Sequence, residues 1–176
     1  MIADRSSLLL RAHILCLLLC CVLLTQGAGV GLAGETGSVT NLPLPRFVSM
    51  KADKGNVRRG PSLSHRVDWV FKRENMPLEI TAEYGNWRRV RDSDGAGGWM
   101  HYTLLSGVRT VIVQRDYTPM RLKAEPEADP NAYAEKGVVA ELGACLPLWC
   151  KIRAGGHRGW VLKTELWGVG TDELRK

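Results

Sequence analysis

The chain has 176 residues, of which 45% are hydrophobic and 24% are charged, a balance that excludes disorder over its whole length. This length allows one ordinary domain or two small ones. The formal net charge of +6 suits attraction to an anionic surface, such as cell-wall carboxylates or lipid headgroups, although many solvated proteins with no such partner carry a similar charge.

Residues 1–33 have the order of a secretory signal peptide. Two arginines precede an apolar run at 14–24, and a stretch of small residues follows and ends at Ala33. We predict cleavage after Ala33, with cleavage after Ala28 as the second choice. The apolar run has 11 residues, which is short for a helix that spans a bilayer, so an uncleaved membrane anchor is the less favoured alternative. The predicted location is the periplasm or the extracellular cell wall, with no membrane span after processing.

Short strands separated by turns are predicted after the signal peptide. Residues 78–82 alternate apolar and polar side chains, as a half-buried strand does. We expect turns at 84–86 and 92–98 and further strands at 87–91 and 99–102. No window keeps a helical apolar period over the roughly 10–12 residues that a helix needs. The sequence therefore predicts an all-β chain of small barrels or sandwiches.

An internal repeat organises this part of the chain. Residues 98–107 match 159–168 with five of ten positions identical, at an offset of 61. Upstream, residues 87–90 match 149–152 at an offset of 62. A weaker match pairs 56–61 with 120–126, starting from Asn56 opposite Met120. A period of this length is that of a small domain rather than of a solenoid unit, and it indicates two tandem modules.

We divide the chain accordingly. The predicted parts are a signal peptide at 1–33, a linker at 34–45, a first module at 46–107, a connector at 108–113, a second module at 114–170 and a tail at 171–176. A module of this size would bury only about 60% of its unfolded surface by itself. We therefore expect the two modules to pack together.

Two cysteines, Cys145 and Cys150, remain once the predicted signal peptide is removed. An even pair in an exported chain predicts one disulfide. The alternatives are two free thiols, or half of a zinc site with His157 as the nearby histidine. Cys145 and His157 as a nucleophile and its base are a further alternative, which a disulfide would exclude.

Three motifs carry a family resemblance. Residues 56–61 (NVRRGP), 87–90 (WRRV) and 98–100 (GWM) follow one another in the order found in bacterial Src-homology-3-like modules. The chain resembles that family over 46–168, as two copies, of which the second lacks the Arg-x-Gly-Pro opening. The resemblance implies two tandem small SH3-like β-barrels after the signal peptide. It also implies a binding role in the cell envelope, where such modules hold peptidoglycan or its peptides.

The candidate ligand-binding residues are Trp87, Arg89 and Arg91 in the first module and Trp149 and Lys151 in the second. Alternate residues of a strand point to opposite faces. If the intervening Val90 and Ile152 face the core, the candidate side chains lie outside it. An exposed tryptophan beside a cation suits stacking on sugars or wall peptides, and it also suits packing of one module on the other.

Two further tryptophans, Trp99 and Trp160, follow glycines in apolar strands, and we expect them in the core.

The function predicted from the sequence is that of a non-enzymatic exported binding or adaptor protein that recognises peptidoglycan, wall peptides or an envelope protein. A structural or accessory protein with no small ligand is the first alternative. A basic nucleic-acid-binding barrel is the second, and the export signal argues against it. We expect no catalytic residues, no cofactor and no metal.

Overall fold

The computed structural model describes residues 35–176 of the protein. The predicted signal peptide, with its cleavage site at Ala33, lies outside the described residues. The described part is built of β-strands, with single turns of 3-10 helix at Tyr102–Leu104 and Lys163–Glu165. Within 35–176, no helix has the length and hydropathy to cross a membrane.

The first seven strands form one antiparallel sheet. They are β1 (Arg46–Met50), β2 (Gly55–Arg58), β3 (Val67–Phe71), β4 (Pro77–Tyr84), β5 (Trp87–Arg91), β6 (Gly97–His101) and β7 (Leu105–Ser106). Their order across the sheet is β3-β2-β6-β5-β4-β1-β7. The strands and turns predicted between residues 78 and 102 are all present, with bounds that differ by a few residues.

The next seven strands form a second sheet. They are β8 (Thr110–Val113), β9 (Thr118–Arg121), β10 (Pro130–Ala134), β11 (Val139–Cys145), β12 (Trp149–Ala154), β13 (His157–Leu162) and β14 (Leu166–Trp167). Their order, β10-β9-β13-β12-β11-β8-β14, repeats that of the first sheet strand for strand. The duplication read from the sequence is therefore a duplication of the whole topology.

Each sheet encloses its own apolar core, and the two-residue alternation of strands selects the residues in it. Val90 and Ile152 are each 1% exposed and face their cores, which is the condition on which the outward placement of the candidate side chains depended. Trp99 and Trp160 are half-buried and belong to neither core, so the expectation that they are core residues is wrong. The neighbouring Met100 and Val161 are fully buried and point inward, which turns the tryptophans outward.

The segment predicted as a connector, 108–113, is mostly strand. It contains β8, which pairs with β11 and β14 inside the second sheet, so the second barrel begins there.

Contacts between the two modules lie close to this segment. The Thr110 hydroxyl donates a hydrogen bond to the Asn75 carbonyl at 2.7 Å, and the Phe47 ring meets Trp167 edge-on with centroids 5.3 Å apart. The two modules therefore pack on each other, as expected from their size.

The segment predicted as a linker is ordered against the first sheet. Thr36 and Pro43 form an antiparallel bridge within it. The Glu83 carboxylate, fully buried at the end of β4, accepts hydrogen bonds from the Thr40 hydroxyl at 2.7 Å and from the Thr40 and Val39 amides. Arg46 donates to the same carboxylate at 2.6 Å. One buried charge thus fixes residues 39 and 40 to the sheet.

The predicted disulfide is present. Cys145 and Cys150 lie opposite each other in the β11–β12 hairpin and are bonded. Cys145 also forms an antiparallel bridge with Arg175, so the predicted tail pairs with the end of β11 in the second sheet. The Lys163 ammonium donates hydrogen bonds to the Thr171 and Glu173 carbonyls, which fixes the tail at a second point.

Candidate ligand-binding face

The outer face of strands β2, β6 and β5 carries a row of two cations and one tryptophan. Arg58 lies opposite Trp99, and Trp99 lies opposite Arg89, in consecutive strand pairs. The second sheet repeats the row, since Arg121 lies opposite Trp160 and Trp160 lies opposite Lys151. We call these two rows the cation–tryptophan rows.

The glycine before each tryptophan explains why the motif recurs. A Cβ atom added to Gly98 would lie 2.5 Å from the Arg58 carbonyl oxygen, and one added to Gly159 would lie 2.5 Å from the Met120 carbonyl carbon. Any side chain at these positions would push the strands apart. Glycine therefore lets β6 and β13 approach their neighbours closely enough to bring each tryptophan beside an arginine.

Arg58 and Arg121 have the same structural role, since each side chain bonds to the backbone of a nearby loop. The Arg58 guanidinium donates to the Leu63 carbonyl at 3.1 Å and the His65 carbonyl at 2.8 Å, while Arg121 donates to the Ala128 carbonyl at 2.6 Å. Each arginine thus holds the loop that follows its own strand. The structure also corrects the weak sequence match, because that alignment placed Leu122 opposite Arg58, where the structure has Arg121.

Trp87 lines a groove of about 390 Å³ on this face, which we call the Trp87 groove. Its ring meets the His101 ring edge-on, with centroids 5.4 Å apart and planes at 84°. The imidazole Nδ1 lies 2.8 Å from the Thr103 hydroxyl, which orients the ring. The other residues of the groove come from β2, its flanking loops and the 3-10 helix: Lys54, Asn56, Arg58, Leu63 and Leu104.

Arg89 and Arg91 lie in a different groove. This second groove, of about 560 Å³, is lined by side chains of β3, β4, β5 and β6 and the loops between them, among them Arg59, Asp68, Thr81, Arg89, Arg91 and Trp99. Trp87 and Arg89 do share the outer face, as predicted. However, the structure assigns Trp87 to one groove and the two arginines to the other.

Charge pairing within the second groove leaves one of its cations unpaired. Hydrogen bonds from Arg66 and then from Arg59 hold the pKa of Asp68 below its ordinary value, although desolvation opposes them. A short hydrogen bond from Arg91 to Glu79 raises the pKa of that arginine. The Arg89 residue is exposed, and its guanidinium has no hydrogen-bond or ion-pair partner among residues 35–176. It is the cation of this groove that remains available to a ligand.

The second module does not present its tryptophan in the same way. Trp149 is 7% exposed, whereas its counterpart Trp87 is half-buried. The prediction that Trp149 lies outside the buried part of the module is wrong. Cys150, tied in the disulfide, is also buried, so the in–out alternation fails at the start of β12. Lys151 is half-buried, and its ammonium lies 5.8 Å from the centre of the Trp160 ring.

His101 and Trp99 are among the residues of this face that sequence reasoning did not assign to it. Both alternate with the buried Met100, so a strict two-residue period would have placed them outside. That His101 meets Trp87 follows only from the register of β5 and β6. Register depends on the turn that joins the strands, and the Gly-rich segment 92–98 does not specify it uniquely.

The described residues show no group of three or more histidine, cysteine or acidic side chains that is placed to hold a metal ion. The Cys145 thiol, one of the sequence alternatives for a nucleophile, is consumed in the disulfide.

The chain matches the family model described as the bacterial SH3 domain twice, over residues 51–107 and 114–168. It therefore belongs to the bacterial SH3 domain family and consists of two tandem copies, as the motifs predicted. No curated protein matches the chain.

The solved structures that are similar to it include two NlpC proteins. NlpC2 from Trichomonas vaginalis is 12% identical, with 70% of this chain and 48% of that chain covered and a TM-score of 0.32. NlpC1 from the same organism is 11% identical, with 69% and 45% covered and a TM-score of 0.33. The chain spans about half the length of each of these proteins.

Proposed function

We propose that the protein is a non-enzymatic, exported binding protein of the bacterial cell envelope, whose Trp87 groove takes peptidoglycan or its peptides. The observation that carries the proposal is the half-buried indole of Trp87, set against His101 in a groove with a polar rim. Pockets with an aromatic wall and a few polar groups are the usual form of small-ligand sites. Membership of the bacterial SH3 domain family supports a binding role.

The groove offers two kinds of contact to such a ligand. The Trp87 ring supplies an apolar surface for a sugar ring or a peptide side chain, with little conformational entropy to lose on binding. Lys54 on the rim is exposed, has no ion-pair partner within 35–176 and is available to a wall-peptide carboxylate. Exposed ion pairs contribute about 0–1 kcal/mol, so the aromatic contact must supply most of the affinity. Binding is therefore weak and only partly sensitive to salt.

Two features support export and an absence of catalysis. A disulfide persists in oxidising compartments such as the periplasm or the cell surface, and the predicted signal peptide would direct the chain there. Cys145 cannot act as a nucleophile while it is bonded to Cys150. In this proposal the protein binds a component of the envelope and does not itself catalyse a reaction.

Co-sedimentation with purified peptidoglycan sacculi tests the proposal. The processed protein is expected to pellet with sacculi, and Trp87→Ala is expected to reduce the pelleted fraction severalfold without changing the circular dichroism spectrum. Trp69→Ala is the matched control, because Trp69 is 52% exposed on the edge strand β3 and lines neither groove. Equal loss in both variants, or no loss in either, would refute the assignment of the groove.

The buried Trp149 favours a supporting role for the equivalent position of the second module. Trp149→Ala is expected to destabilise the protein by about 3 kcal/mol, as truncation of a buried tryptophan does, rather than to weaken sacculus binding selectively.

A further inference from the structure

The two cation–tryptophan rows have a feature that the function proposed for the Trp87 groove does not explain. In each row one cation is engaged in holding a loop, namely Arg58 or Arg121, and the cation on the other side of the tryptophan makes no such bond. We infer that Arg89 with Trp99, and Lys151 with Trp160, form two equivalent sites that bind the carboxylates of an acidic polysaccharide. These sites are separate from the Trp87 groove and do not depend on its proposed function.

The first argument is charge. Within residues 35–176, neither the Arg89 nor the Lys151 side chain has a hydrogen bond or an ion pair with a carboxylate, although Asp68 lines the same groove as Arg89 and Glu141 lines the same groove as Lys151. Glu79 is engaged by Arg91, and Asp68 by Arg59 and Arg66. The local acidic groups of the first module are thus already neutralised. An incoming carboxylate would meet Arg89 as an uncompensated charge, and the hydrogen bond would be charge-assisted.

The second module also has an excess of positive charge in the groove that Lys151 lines, although Trp160 is not part of that groove's lining. Its groove, of about 210 Å³, contains Lys151, Arg153 and Arg158 against a single carboxylate, Glu141. The Arg153–Glu141 pair is loose, at 3.9 Å. This groove therefore has an excess of positive charge around Lys151, as the first has around Arg89. Charge complementarity selects an anionic ligand at both.

The tryptophans indicate which chemical group of the ligand lies next to its carboxylate. Lys151 already lies over the Trp160 ring at cation–π distance, so its ammonium is held beside the indole rather than extended into solvent. A half-buried indole next to a fixed cation can contact the apolar face of a ring whose substituent is a carboxylate. Sugar acids have this combination, because the pyranose ring carries C–H groups on its faces and the carboxylate at its edge.

Duplication points to a polymer rather than to a single sugar. One exposed ion pair with a partial aromatic contact binds weakly. Two such sites on one chain bind a repeating ligand better, because occupation of the first raises the effective concentration of the ligand at the second. The proposed ligand, a polysaccharide with a carboxylate on every residue, presents the same chemistry to both sites. A free monosaccharide gains nothing from the duplication.

Polygalacturonate is the probe of choice, with neutral dextran and monomeric galacturonate as comparisons. Isothermal titration at low salt should detect binding of polygalacturonate and none of dextran. Arg89→Gln and Lys151→Gln should each weaken binding about threefold to fivefold, the equivalent of an ion pair of up to about 1 kcal/mol, and the double variant should weaken it at least tenfold. Lys72→Gln/Lys123→Gln is the control of equal charge, since both lysines are exposed and lie outside the grooves.

The outcomes separate the possibilities. Tenfold loss in the Arg89/Lys151 double variant together with near-normal binding in the Lys72/Lys123 control supports the two sites. Equal loss of binding in the two double variants would show that binding depends on net charge alone, and it would overturn the inference. Unchanged binding in the Arg89/Lys151 variant would also overturn it. Monomer binding as tight per site as polymer binding would refute the bivalent arrangement. Sacculus binding that depends on Trp87 is measured separately, and its failure would leave these results unaffected.

Discussion

Arg58 and Trp99 lie directly opposite each other in the bridge that joins β2 to β6, and Arg121 and Trp160 have the same relation in the second sheet. In both modules the arginine side chain folds over the loop that follows its strand. The arginine therefore lies opposite the tryptophan in the sheet and holds the loop with its side chain. The residue that sequence comparison assigns to a family motif is here a structural residue.

Arg58→Met is expected to lower the free energy of unfolding by about 2 kcal/mol, because it removes hydrogen bonds from a charged donor to the Leu63 and His65 carbonyls. Urea denaturation measures the change. Arg59→Met is the control, since Arg59 makes only an exposed ion pair with Asp68 and should cost less than about 1 kcal/mol. Equal effects of the two substitutions would contradict the role given to Arg58.

Acid should release the segment that Glu83 holds. Burial alone would raise the pKa of Glu83, but hydrogen bonds from Thr40, Arg46 and Val39 outweigh it and lower the pKa from 4.5 to about 2. The folded state thus binds this proton less readily than the unfolded state. The stabilisation is fully present above pH 4.5 and is lost as the pH falls towards 2, with a total on the order of 3 kcal/mol.

Glu83→Gln isolates this contribution. The variant should be less stable than the parent protein at pH 7, and the difference should vanish as the pH approaches 2, when urea denaturation is repeated across that range. Glu74→Gln serves as the control, because Glu74 is exposed and makes no ion pair with the described residues. A stability difference that stays constant from pH 7 to pH 2 would show that the Glu83 charge does not hold the segment.

Reduction of the disulfide between Cys145 and Cys150 is expected to lower the free energy of unfolding by about 2 kcal/mol, the chain-entropy value for so short a loop. Denaturation with and without reductant measures it. The oxidised protein should have a mass two hydrogens below that of the reduced one and should resist alkylation when unfolded. Full alkylation of both thiols without reductant would contradict the bond.

The two-module, all-β architecture of this protein can be predicted from its sequence, because the same pattern of strands and turns occurs in both copies of the repeat. The Gly-Trp match identifies β6 and β13, and the match of 87–90 with 149–152 identifies β5 and β12, in which Val90 and Ile152 are core residues. Alternation also holds for Trp99 and Trp160, whose apolar character suggested burial although their positions in the strand point outward.

Other features depend on contacts between distant parts of the chain. That residues 39 and 40 bind Glu83, across more than forty positions, has no local signature. The separation of Trp87 from Arg89 into two grooves follows from the register of β5 with β6 and from the loop that Arg58 closes. Local pattern identifies which side chains face outward, and only the packed structure shows which of them share a groove.

The claim that Trp87 forms the ligand groove is tested most directly by the six tryptophan indole N–H resonances of the processed protein. Each is assigned by a single Trp→Phe variant, and soluble fragments released by digestion of sacculi are then titrated. We expect the Trp87 resonance to shift with increasing fragment while those of the exposed Trp69 and the buried Trp149 stay in place. A shift at Trp69 with none at Trp87, or no shift at any indole at saturating fragment, would contradict the account.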